Sequence, residues 1–141
     1  ESVVRGLVSG DPNANRYRVY GYLDTETMNM LGRAATLIVS RAGSAIFEIA
    51  TWGTPAILIP ITNSNGDHQR KNAFAYARAG GAVVIEEANL TANILLSETN
   101  RIMNDVTVRD AMRDAAHAFT KTDAAEKIAE QIVAVLLRHR K

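Results

Sequence analysis

The sequence predicts a doubly wound α/β domain with a mostly parallel sheet. Two observations carry that prediction. Short apolar stretches of strand length alternate along the chain with amphipathic stretches of helix length. Two of the strands, T-L-I-V-S over 36–40 and A-I-L-I-P over 56–60, run apolar without the alternation of a half-solvated strand. Such strands are buried on both faces, as in a parallel sheet covered by helices on each side.

Each element follows from local pattern. Val3, Val4, Leu7 and Val8 mark one face of a helix over 1–9, which Gly10 stops. G-D-P-N-A-N is a loop. R-Y-R-V-Y-G-Y-L, 16–23, is rich in Tyr and Val and reads as a strand. D-T-E-T, 24–27, opens a short helix with acids suited to the helix dipole. The apolar strand 36–40 comes next, then a helix from Gly43 to Trp52, then the strand 56–60. I-T-N-S-N-G is a polar loop, and D-H-Q-R-K-N-A-F-A-Y-A-R-A, 67–79, is a helix with Asp67 as its N-cap. Gly80 and Gly81 are expected to end it as left-handed caps. A-V-V-I-E-E, 82–87, is a fourth strand. Further helices are expected near 91–104, 107–119 and 122–139. No internal repeat or linker interrupts this single domain, 1–141.

Composition narrows the chemistry. A net charge of +1 gives no field that would draw nucleic acid or an anionic membrane. Without cysteine there are no disulfides, thiolate metal sites or thiol nucleophiles. No apolar run approaches the ~20 residues of a membrane span. H-E-x-x-H, Walker A, G-x-S-x-G and G-x-G-x-x-G are all absent, and no nucleophile–base–acid set can be assembled. The residues read as a binding half, with no catalytic residue and no metal ligand cluster.

In a doubly wound sheet the strand-to-helix loops share one edge, and ligands bind there. Three loops qualify: 22–27, 40–47 and 61–69. In the second, Ser44 follows Gly43 and is an N-cap candidate. The amides of Ala45, Ile46 and Phe47 then lack intrahelical acceptors and suit a phosphate or diphosphate. Glu48 lies on the same face as Ser44, roughly 6 Å further along. That offset matches the step from a phosphate to its ribose, whose diol offers two donors to a carboxylate's two acceptors. On the residues alone Glu48 reads first as a partly exposed helix residue in the favourable first turns, with Arg41 as a partner within reach. In the third loop, His68 and Gln69 occupy the first turn of their helix. They either hydrogen-bond sugar hydroxyls and a phosphate or are exposed helix-start residues. Asn72 is expected to brace a loop through its backbone. Arg70, Lys71 and the terminal R-H-R-K read as solvated; Trp52, Tyr20 and Phe74 read as core.

S-R-A-G-S-A-I-F-E-I-A-T-W-G-T-P-A-I-L-I-P, followed by D-H-Q-R-K-N-A and A-G-G-A-V-V-I-E, resembles the C-terminal domain of the MurG branch of the family 28 glycosyltransferases. The resemblance runs from about Tyr17 to Val133. It implies a Rossmann-like domain, the nucleotide-sugar half of a GT-B fold. It implies binding of UDP-N-acetylglucosamine and an inverting transfer of N-acetylglucosamine to a lipid-linked muramoyl-pentapeptide, lipid I to lipid II, with no metal or other cofactor. By this resemblance the Leu23 backbone meets the uracil edge, Ser44 and Ala45 meet the diphosphate, and Glu48 takes the ribose hydroxyls. His68 and Gln69 hold the sugar hydroxyls and a phosphate, and Asn72 opens the packed helix. The run from Arg41 to Glu48 is one residue shorter than the family's, so Gly43, Ser44 and Ala45 all remain candidates for the phosphate. The loop 23–28 is about two residues longer. The resemblance also implies an N-terminal acceptor domain outside this chain, together with the first strand and Gly-rich loop of the donor domain. The lipid-linked acceptor and any peripheral membrane contact, at the cytoplasmic inner face, would belong to that missing part. Other readings are a nucleotide-binding subunit of a two-chain transferase, another family 28 glycolipid transferase, or a non-catalytic α/β module.

Overall fold

The computed structural model describes residues 2–63, 65–120 and 124–138. The chain divides into two compact units, Glu1–Leu31 and Gly32–Lys141.

In the first unit, α1 spans Ser2–Val8 and ends at Gly10, whose φ of 92° only glycine adopts readily. The expected strand over 16–23 does not form. A strand needs a ladder partner, and this unit contains no second strand among its described residues. Arginine side chains take carbonyls within it and just before it instead. Arg18 donates to Asn15 O at 2.7 Å and Tyr17 O at 3.4 Å, and Arg5 donates to Val19 O at 3.0 Å. Tyr20, expected in the core, is 57% exposed for the same reason. α2, Thr25–Ala34, which runs past Leu31 into the second unit's residues, starts where the acidic turn predicts. Asp24 caps it, accepting from Thr27 N at 2.7 Å. That backbone N–H holds the Asp24 carboxyl below its ordinary value.

The second unit is the sheet and its helices. β1 (Ile38–Ser40), β2 (Ala56–Leu58) and β3 (Ala82–Val84) are parallel and lie in chain order. The register pairs Val39 with Ile57 and Ile57 with Val83. α3 (Ala45–Trp52) connects β1 to β2, and α4 (His68–Arg78) connects β2 to β3. α5 (Ala92–Asn104), α6 (Val106–Phe119) and α7 (Ala124–Arg138) follow. Residues 122, 123 and 139 of the last expected helix lie outside the described residues. So do residues 139–141 of the terminal basic run.

Alternate strand residues face opposite sides, and each side has its own core. Ala56, Leu58 and Ala82 pack with Ile46 and Ile49 of α3, Tyr76 of α4 and Ala116 of α6. Ile57, Ile59 and Ile85 pack with Ile102 of α5 and Met112 of α6. Helices therefore cover both faces, as the apolar strands predict. The prediction holds fully for β2, where every residue is buried. It fails for β1, which is the rim of the described sheet and leaves Val39 48% exposed. All three strands are shorter than the sequence implies, because pairing stops where the chain turns into its loops.

Two glycines are fixed by packing. Gly53 closes α3 at φ 67°, and a Cβ there would sit 2.3 Å from His117 Nε2. Gly80 takes the expected left-handed cap at φ 95°, but Gly81 does not. Gly81 is small because the Tyr76 ring lies 2.3 Å from where its Cβ would be. Trp52 is half-buried and packs against the core, as expected; Phe74, also expected in the core, is half-buried under the Arg70 guanidinium and joins neither core cluster. No helix among the described residues is long and apolar enough to cross a membrane.

Candidate functional site

The loops leaving the C-terminal ends of β1, β2 and β3 meet at one edge of the sheet. Arg41, immediately after β1, reaches across it. Its guanidinium donates to Ile59 O at 3.1 Å and to Glu87 Oε1 at 2.7 Å. The other Glu87 oxygen accepts from Thr62 N at 3.1 Å and Thr62 Oγ at 2.9 Å. One carboxylate thus joins the loops after all three strands. The Thr62 amide, then the Thr62 hydroxyl and Arg41, hold the Glu87 pKa below its ordinary value. The sequence reading missed Glu87. Its only signal was a pair of carboxylates at the end of an apolar strand.

The turn after β1 differs from expectation at its cap and in its bare amides. Ser44 occupies the N-cap position of α3 but has helical angles, φ −61° and ψ −25°, and its side chain makes no cap bond. A helical backbone points the hydroxyl away from the amides it would have to reach. The amides of Ile46 and Phe47 are also not bare. They donate to Gly43 O at 3.4 Å and Ser44 O at 3.1 Å, tightening the first turn. The bare set shifts two residues back. Gly43, Ser44 and Ala45 offer three consecutive N–H groups with no acceptor among the described residues. A Cβ on Gly43 would meet nothing within 4 Å, so open space faces this turn.

Glu48 lies in the first turn of α3. The helix buries Ile46, Ile49 and Ala50 and exposes Phe47, Glu48 and Thr51. The carboxylate has no hydrogen bond or ion pair among the described residues. Its expected alternative partner, Arg41, is committed to Glu87. The charge is therefore placed on the open face beyond the bare amides, not within the core.

The loop after β2 is held by its own side chains. Gly66 and Asp67 both take left-handed angles, and Asp67 precedes α4 without a side-chain cap bond. With φ at 58°, it is a rare non-glycine in that region. The exposed His68 ring lies back over Gly66, where a Cβ would be 2.9 Å from Nε2. Gln69 Oε1 accepts from Ile61 N at 3.2 Å, so its oxygen is used within the loop. Asn72 Nδ2 donates to Ala42 O at 3.4 Å, bracing the turn after β1. Arg70 and Lys71 are exposed, as expected, and each also has a partner. Arg70 Nε bonds Glu86 at 2.8 Å, which raises its pKa further, and Lys71 donates to Gly66 O at 3.0 Å. A cavity of about 610 Å³ opens among Thr62, Asp67, Arg70, Glu86 and Glu87.

The structure thus brings Gly43, Ser44, Ala45, Glu48 and Asn72 to the turn after β1, and His68 and Gln69 to the adjoining helix start. Leu23 belongs to the first unit, half-buried in the irregular segment before α2. Among the described residues no cluster of three or more His, Asp or Glu side chains is placed to hold a metal ion.

The glycosyltransferase family 28 C-terminal domain matches residues 7–131. Among curated proteins, the chain is 39% identical over 132 residues to a Salinibacter ruber protein. That relative is named UDP-N-acetylglucosamine--N-acetylmuramyl-(pentapeptide) pyrophosphoryl-undecaprenol N-acetylglucosamine transferase, and the match covers 89% of this chain and 33% of the relative. A protein of the same name from Limosilactobacillus fermentum is 32% identical over 139 residues, 98% of this chain and 37% of the relative. Among solved structures, Acinetobacter baumannii MurG superposes with a TM-score of 0.80 at 24% identity, covering 92% of this chain and 37% of that one. The shared feature there is the fold. The chain spans about a third of the length of these curated relatives.

Proposed function

This chain belongs to the glycosyltransferase family 28 C-terminal domains, and on that premise we propose that it is the donor-binding part of an inverting N-acetylglucosamine transferase. The donor is UDP-N-acetylglucosamine, and the acceptor is a lipid-linked muramoyl-pentapeptide. The observation that carries this reading is the pairing at the start of α3. Three amides, Gly43 to Ala45, and the carboxylate of Glu48 stand together without a partner among the described residues. Bare amides at a helix start bind a diphosphate. A carboxylate one turn on accepts from the two hydroxyls of a ribose. His68 and the Gln69 amide group lie at the next helix start, where the sugar's hydroxyls would reach.

The chemical logic is leaving-group stabilisation. An acceptor hydroxyl attacks the anomeric carbon, the bond to the diphosphate breaks, and negative charge grows on UDP. The α3 amides and dipole favour that charge without a metal ion. Asn72 holds the turn through the Ala42 carbonyl. The acceptor, the general base and contact with the inner face of the cytoplasmic membrane belong to a domain outside this chain.

The test is a titration with UDP-N-acetylglucosamine followed by amide NMR, with UDP-glucose and ADP-glucose as controls. Saturable shifts at 43–48 and 67–72, absent with ADP-glucose, are expected. Glu48→Gln should weaken binding roughly tenfold, the effect of losing charge-assisted hydrogen bonds. Silence with every nucleotide, in the full native protein as well as in this chain, would sink the reading.

A further inference from the structure

The donor site proposed above needs its three bare amides to point one way, yet no intrahelical bond holds them there. What fixes them lies outside the helix. Arg41 begins the turn, and its guanidinium is anchored at both ends of its fork, on Ile59 O and on Glu87. Ala42 is fully buried, with its carbonyl held by Asn72. Glu87 is itself clamped by the Thr62 amide and hydroxyl. Thr62 follows Ile61, whose amide is bound to Gln69.

We propose that Glu87 is a positioning residue for donor binding, setting the direction of the Gly43–Ala45 amides through Arg41 and the spacing of the Gln69 loop through Thr62. The inference rests on the reading that those amides receive the donor diphosphate. The exposure of the pair separates this role from a stabilising one. The Arg41 and Glu87 side chains are 48% and 36% exposed, a setting in which ion pairs add little to global stability. Their geometry still decides where the turn sits. A carboxylate has two oxygens and enough lone pairs for three donors, and all three bonds are made. A glutamine in the same place offers one acceptor, so one side of the clamp must open.

The competing outcome is that Arg41 itself leaves Glu87 to bind the diphosphate. Glu87 would then be a resting partner whose removal helps the donor bind. The experiment uses the full native protein with Glu87→Gln, Arg41→Gln, the double variant and the milder Thr62→Val. Donor KM, kcat at saturating donor and melting temperature are measured for each. Amide spectra are recorded without ligand.

Each single variant at Glu87 and Arg41 is expected to raise donor KM roughly tenfold. kcat should be unchanged, and the double variant should be no worse than either single one, because both act through one path. Thr62→Val should give a smaller rise in the same direction. The Gly43, Ser44 and Ala45 amides should shift in the ligand-free spectra of all four. Tighter donor binding by Glu87→Gln, or additive losses in the double variant, would overturn the proposal. If the wild type binds no UDP compound, the donor reading fails, and the ligand-free spectra still decide this one. Unmoved amides at 43–45 would end it.

Discussion

At Gly43 a methyl group would meet nothing within 4 Å, and the backbone lies outside the left-handed region. Gly43→Ala is therefore expected to leave the melting temperature unchanged or raise it slightly, by the ~0.4–1 kcal/mol that a stiffer unfolded chain provides. The same methyl would occupy the space before the bare amides, so donor affinity should fall while stability does not. Gly53 is the opposite case. Gly53→Ala meets both a positive φ and the His117 ring, and should cost about 1–3 kcal/mol in thermal or denaturant unfolding. Tyr76 gives a third test. It is fully buried, its hydroxyl has no hydrogen-bond partner, and burial pushes its pKa to about 12. Tyr76→Phe removes an unsatisfied polar group from an apolar contact with Phe119, and should be neutral or stabilising by up to ~1 kcal/mol. At this scale the sequence showed residue types but not bonds. Glu48 was legible because a lone carboxylate on an apolar helix is conspicuous. Glu87 was not, because its partners lie 25 and 46 positions away. The Ser44 cap failed for a local reason, since helical angles at Ser44 override a preference that assumes extended ones.

Helix ends and strand pairing decide the elements. Asp105 caps α6 by accepting from Thr107 N at 2.9 Å and Val108 N at 3.2 Å. Asp105→Ala should cost about 1 kcal/mol, measured by chemical unfolding. The helices were the most legible elements, because a 3.6-residue apolar period and its caps are both local signals. α5 and α6 begin and end within two residues of expectation. Strands depend on neighbours that the sequence does not reveal. β1, β2 and β3 appear because each has a partner, and 16–23 stays irregular because its unit offers none. The same limit explains Gly81, which looked like a cap and is instead the floor under Tyr76.

The molecule's response to acid follows from its carboxylates. Glu87 and Asp24 both have pKa values below the ordinary 4.5 and 3.8. A lowered folded-state pKa contributes stability that is present above the ordinary value and lost as pH falls through the folded one. Comparing the melting temperatures of wild type and Glu87→Gln should show a small gap at neutral pH that closes as the pH falls through the lowered Glu87 pKa. A gap that persisted in acid would mean the variant acts through packing and not through charge. The doubly wound architecture was legible from the alternation of elements and the uninterrupted apolarity of 56–60. The division into two compact units was not, because nothing in the composition changes at Leu31. The rim of the sheet has its own outcome. Among the described residues β1 pairs with β2 on one side and with no strand of its unit on the other, and Val39 stays half in solvent. An open backbone edge with an apolar side chain is a template for another extended strand. At high concentration the chain should stick to itself edge to edge, and a lysine at position 39 should keep it dispersed.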